Sequence, residues 1–176
     1  MSDTVALYGR GKTGADGENP HLLGQEKSFL DVNYASVEPG IAPRLSESMV
    51  HCRWVKNVSG GVLLPGAMVK YLATEYGEHI TAEAGAGDIA NGVVDEYLPA
   101  AGVADNKSFW IVQRGPTKVI GGAVVAAGVS FVPGSSGEAA AFSTSGDALE
   151  AATLAGRAME LMADGTAIFR AFVNLF

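Results

Sequence analysis

The chain has 176 residues, a formal charge of −7, 48% apolar side chains and only 18% charged ones. That length fits one domain, or one domain with an arm, and the apolar fraction excludes disorder throughout. A single cysteine excludes an internal disulfide and fits synthesis in a reducing cytosol, and no cluster of basic residues marks a nucleic-acid or membrane-surface partner.

Residues 1–49 hold three of the seven prolines, many turn formers and no sustained period of 2.0 or 3.6. Within them, Tyr8–Gly17 reads YGRGKTGADG, and Gly11-Lys12-Thr13 invites comparison with a phosphate-binding loop. That loop needs a glycine five places before Gly11, where Ala6 stands, and a long helix after Thr13, where Gly14, Asp16, Gly17 and Pro20 stand. A glycine-rich extended arm is the better reading, with at most a short strand over Ser28–Tyr34. Such an arm has no core and is ordered only by lying on something else. Its first ten residues lack the charged start and apolar run of a signal peptide, so no Sec-type export is expected.

From His51 the pattern becomes β. His51–Val58 alternates bulky and polar residues and ends at Ser59-Gly60-Gly61; Met68–Leu72 and Glu78–Ala82 are short strands separated by a Tyr76-Gly77 turn; Gly92–Leu98 closes at Pro99. Ser108–Gln113 is the strongest strand and is expected to stop at Gly115-Pro116. Val119–Val132 is apolar but glycine-broken and too short to cross a bilayer, so it reads as a buried strand pair. Gly146–Ala155 carries good helix formers behind Asp147 and reads as a short helix. Strands at roughly 10-residue spacing predict an all-β sandwich or barrel.

The second half repeats the first. Gly60–Val69 lies over Gly121–Ser130, Gly92–Leu98 over Gly156–Met162, and Phe109–Val112 over Ile168–Ala171. Two copies of a small β unit, about 57–116 and 119–176, sharing one core follow an arm of residues 1–49.

Chemistry has little to work with. His21, His51 and His79 lie far apart without metal-ligand spacing, and adjacent His51 and Cys52 point to opposite faces of a strand. Ser135-Ser136 lies in a hairpin-loop sequence rather than a nucleophile elbow. Asp95-Glu96 and Asp88 offer a carboxylate pair, but Asp95 and Glu96 face opposite ways in a strand, and an exposed polar face with one acid against a basic neighbour is the ordinary explanation. Trp54, Phe109 and Trp110 form a candidate sugar platform, although alternation puts at least one ring of Phe109-Trp110 in the core. No catalytic, cofactor or metal site emerges.

The series Gly121–Phe131 (GGAVVAAGVSF), Gly137–Ala141 (GEAAA), Ala155–Glu160 (AGRAME) and Asp164–Phe169 (DGTAIF) resembles the capsid decoration, or cement, proteins of tailed bacteriophages. Phe109–Pro116 in the first repeat is similar to the same set, and the resemblance covers about residues 57–176. It implies a non-enzymatic β module, made in the host cytoplasm, that binds the outside of the phage head and stiffens it across junctions of the major capsid protein. Such modules act as homo-oligomers, trimers more than dimers, and need no cofactor. It gives the arm a role in docking on neighbouring subunits, with Arg10, Lys12, Phe29, Leu30, Val32 and Tyr34 as candidate capsid contacts.

Two other readings make opposite demands on the structure. A receptor- or carbohydrate-binding β module, such as a head-fibre or tail component, requires Trp54 or Trp110 exposed beside polar groups, whereas the cement reading buries them. An enzyme requires a cleft that gathers His51 or His79 with carboxylates.

Overall fold

In a computed structural model the chain is mainly β, as its strand spacing predicts. The residues described are 22–32, 45–122, 124–143, 153–161 and 168–175, and they contain no α-helix. The strands are β1 (Glu26–Val32), β2 (Leu45–Asn57), β3 (Met68–Tyr71), β4 (His79–Glu83), β5 (Gly92–Val94), β6 (Ser108–Ile120), β7 (Ser130–Pro133), β8 (Ala139–Ala141), β9 (Gly156–Ala158) and β10 (Ile168–Asn174).

The strands join in the order β1-β2-β4-β3-β5-β6-β10-β9-β7-β8. An added β2–β6 pairing closes β2, β4, β3, β5 and β6 into a ring. Val55, Val69, Tyr71, Ile80, Val94, Phe109 and Ile111 come from all of these strands and fill the ring. Their alternate neighbours, Cys52, Trp54, Met68, Val93, Trp110 and Val112, point outward into a second core shared with Phe131, Phe169, Ala171 and Val173 of β7 and β10. Ser108–Gln113 is thus buried on both faces, which is why it reads as a continuous apolar run.

The halves share one topology. β4-β3-β5-β6 in the first is matched by β8-β7-β9-β10 in the second. Backbone bonds correspond one to one: Gly66 N–H to Val94 C=O and Gly128 N–H to Ala158 C=O, Asn91 to Val69 and Ala155 to Phe131, Asp95 to Trp110 and Met159 to Arg170. Val94 stands opposite Ile111 and Ala158 opposite Ala171, so the ladder sets Phe109 over Phe169, one residue away from the alignment by sequence. β6 and β10 pair antiparallel along Arg114–Ile120 and join the two units.

The structure corrects several expectations. β6 does not stop at Gly115-Pro116 but runs on to Ile120. Leu175 N–H donates to Gln113 C=O, so alternation along the ladder makes Pro116–Phe172 a non-hydrogen-bonded pair. The missing N–H of Pro116 therefore points away from β10, beyond the last β2–β6 pair at His51–Arg114, and costs no ladder bond. Val119–Val132 is not a strand pair: it contains the end of β6, a turn with Val124 exposed and the start of β7, and β10 and β9 lie between those strands. The Gly92–Leu98 strand ends at Val94, because the Asp95 carboxylate accepts the Tyr97 N–H and turns the chain. Most of the expected helix, residues 146–152, lies outside the described residues.

Candidate functional site

Of the six candidate capsid contacts, Arg10, Lys12 and Tyr34 lie outside the described residues. Phe29, Leu30 and Val32 lie on β1, which pairs antiparallel with β2 of the same chain. The half-buried Phe29 ring meets Trp110 edge-on, with centroids 5.5 Å apart. Lys27 Nζ lies 5.1 Å from the centre of the same ring. Ordered structure therefore begins before residue 49, and β1 lies on the barrel rather than standing free.

A polar chain reinforces this junction. Glu26 on β1 ion-pairs with Arg53 on β2, and Arg53 Nε donates to Gln113 Oε1 at 3.2 Å. Gln113 Nε2 donates to the Tyr71 hydroxyl at 3.1 Å and to the Asn91 carbonyl at 3.2 Å. Burial pushes the Tyr71 hydroxyl up to about 12, against the opposing pull of Arg53, so it stays protonated at neutral pH. Each polar group here has a partner on a different strand, so the chain fixes the β1–barrel angle instead of presenting reactive atoms.

The aromatic platform does not form. Trp54 and Trp110 are each 2% exposed, with ring centroids 5.0 Å apart, and Phe109 is fully buried inside the ring.

The titratable groups are dispersed. His51 Nδ1 lies 2.9 Å from Ser28 Oγ, a cross-strand pair fixed by the β1–β2 register, beside a cavity of about 110 Å³ that Gln113 and Cys52 also line. His79 Nδ1 lies 2.5 Å from Glu75 Oε2, one helical turn away in sequence, a spacing the sequence reading missed. Asp88 accepts from Lys70 at 2.7 Å and from Gly85 N–H at 2.8 Å, and these bonds hold its carboxyl below the usual range. Asp95 is buried rather than exposed, and Glu96 is half-buried, its carboxylate 3.6 Å from Lys118 Nζ. Among the described residues no group of three or more His, Cys, Asp or Glu side chains could hold a metal ion. Ser135 and Ser136 lie in the β7–β8 turn, with Ser135 Oγ 3.4 Å from Glu138 Oε2.

An apolar groove of about 400 Å³ lies where the two units meet, lined by Leu64, Pro65 and Leu98 of the first unit and by Ile120 and Ile168 along the β6–β10 seam. Sequence reading missed it because its residues come from four separate segments and its walls exist only once β10 pairs with β6. The exposed Leu64 and Ile168 were the available signal.

The sequence matches no protein-family model and no curated protein. Among solved structures, the chain is similar to the N base of head fiber gp8.5 of bacteriophage phi29, with a TM-score of 0.51, 16% sequence identity, and coverage of 72% of this chain and 95% of that one. At that identity the likeness is one of fold.

Proposed function

We propose that this chain is a non-enzymatic structural protein of a phage virion, seated on the outer surface of the head, where it binds the major capsid protein and stabilises the shell across subunit junctions. The observation that carries this reading is the fold likeness to a phage head-fiber base over nearly all of that chain. Buried Trp54 and Trp110 and scattered titratable groups support a protein that works through its surface.

Residues 1–21 and 33–44 supply contacts to the shell, with Arg10, Lys12 and Tyr34 among them, while Phe29 anchors β1 to the barrel. A trimer is the favoured assembly, because several weak attachments on one body make later contacts intramolecular.

The test is co-sedimentation with heads assembled without this chain from the major capsid protein of the same genome. The full chain is expected to bind saturably, and a version lacking residues 1–21, which keeps β1, to bind at least about tenfold more weakly. A receptor-binding fibre base is the second reading, favoured by the kind of protein the fold resembles. It predicts that the chain is held on the head by a small interface, and that isolated protein binds host cells. No binding to heads by either version would reject the first reading.

A further inference from the structure

The outer face of β6, β10 and β9 combines cations with exposed apolar groups. Side chains alternate along β10, so Phe169, Ala171 and Val173 face the core while Ile168, Arg170 and Phe172 face out. Cross-strand register extends that face to both neighbours: Phe172 stands between Pro116 of β6 and Arg157 of β9, and Arg170 beside Lys118. Met159 follows Arg157 on the same face, its N–H bonded to the Arg170 carbonyl. Phe172 is 41% exposed, Met159 52% and Ile168 55%. Lys118 and Ile168 also line the apolar groove, so face and groove form one continuous surface.

On a chain of net charge −7, cations gathered on one face are a local inversion. Among the described residues two acids stand at its margins: Glu96 pairs with Lys118, and Glu160 accepts the Arg170 backbone N–H at 2.7 Å. Arginine interleaved with aromatic and methionine side chains is the composition of a protein interface core. A nucleic-acid surface would instead line up cations for phosphates, without apolar groups between them. Two-fold self-pairing would set this face against itself and oppose like charges.

We infer that this face, Arg157, Arg170 and Lys118 around Phe172 and running into the groove, docks on an acidic, apolar-centred patch of another protein. This rests on the virion reading above, and the partner surface is then the shell. Carboxylates opposite the arginines set orientation and on-rate, while Phe172 and Ile168 supply the buried apolar contact.

The test uses the full chain and the same undecorated heads at about 0.05 and about 0.3 M salt, with folding of each variant checked by thermal melting. The wild type is expected to bind and to weaken with salt. Arg157→Glu combined with Arg170→Glu, and separately Phe172→Ser, are each expected to lose at least about tenfold in affinity, while Glu78→Lys on the barrel stays within about twofold. If folded charge-reversed and Phe172→Ser chains bind like the wild type, the docking face is wrong and the virion reading stands. If the wild type itself does not bind, the virion reading fails and this inference with it. Loss of oligomer with head binding retained would make the face a contact between copies and overturn the inference.

Discussion

Phe29 packs edge-on against Trp110 with an interplanar angle of 79°, and Trp110 in turn packs edge-on against Trp54. One aromatic side chain thereby couples a strand near the N-terminus to the wall between the two cores. Phe29→Ala is expected to cost about 1–3 kcal/mol, since a half-buried ring loses both its apolar contact and its edge-to-face term. Denaturant unfolding measures that cost, and a shift in tryptophan emission together with faster proteolysis ahead of residue 45 locates it at β1. Unchanged emission would mean that β1 does not rest on Trp110.

Asn57 is a point of concentrated hydrogen bonding at the end of β2. It is fully buried, Nδ2 donates to the Gly61 and Val103 carbonyls at 2.9 Å each, and Oδ1 accepts the Ser59 N–H at 2.9 Å. Asn57→Ala leaves two carbonyls and an amide without those partners and is expected to destabilise by about 2–4 kcal/mol. Asn57→Asp should do at least as much damage, because a carboxylate facing two carbonyls replaces two donors with acceptors. Equal melting temperatures for Asn57→Ala and the wild type would reject this account.

Several strand positions in the barrel half were legible because their apolar runs are rich in β-branched or aromatic residues and lie near glycine or proline, as at Met68–Tyr71 and Ser108–Gln113. The likeness of the halves was visible at Gly92 and Gly156, for a physical reason: a Cβ at Gly92 would stand 2.5 Å from Ile111 Cδ1, and one at Gly156 would strike the Phe172 carbonyl oxygen. What stayed hidden depends on partners distant in sequence. Whether Pro116 ends a strand depends on which edge β2 still occupies, and the docking face exists only through the β10–β6 and β10–β9 registers. The aromatic residues that the sequence resemblance assigned to a free arm include one, Phe29, that the barrel already holds.

The two equivalent glycines are not equally replaceable. At Gly92 the obstruction is the Ile111 side chain, with Cδ1 at 2.5 Å and Cβ at 2.9 Å, so relief needs a rotamer change and a small shift of β6, whereas at Gly156 it is the Phe172 carbonyl oxygen and the Val173 Cα, backbone of the β9–β10 ladder itself. Gly92→Ala is therefore expected to cost about 1–3 kcal/mol and Gly156→Ala more than about 3 kcal/mol. Chemical denaturation of both variants checks the order, and a Gly156→Ala protein as stable as Gly92→Ala would contradict it.

Glu83 and Asp88 give opposite pH signatures within a few residues of each other. Burial first, and the nearby charge of Glu138 second, raise the Glu83 carboxyl above its ordinary 4.5. The folded state then binds that proton more readily than the unfolded state, so this group favours folding below about 4.5 and the benefit is lost as pH rises through its raised value. Glu83→Gln is accordingly expected to raise the melting temperature at about pH 7 and to change it little at about pH 3.5. For Asp88, the Lys70 hydrogen bond and then the Gly85 amide lower the carboxyl from 3.8, so its contribution is present above that value and is lost as pH falls through the depressed one. Asp88→Asn should therefore lower stability at neutral pH and matter progressively less in acid. Melting both variants across the acid range tests the signs together. A Glu83→Gln gain that persists undiminished below about pH 4 would show that packing, rather than the Glu83 charge beside Glu138, is what the substitution relieves.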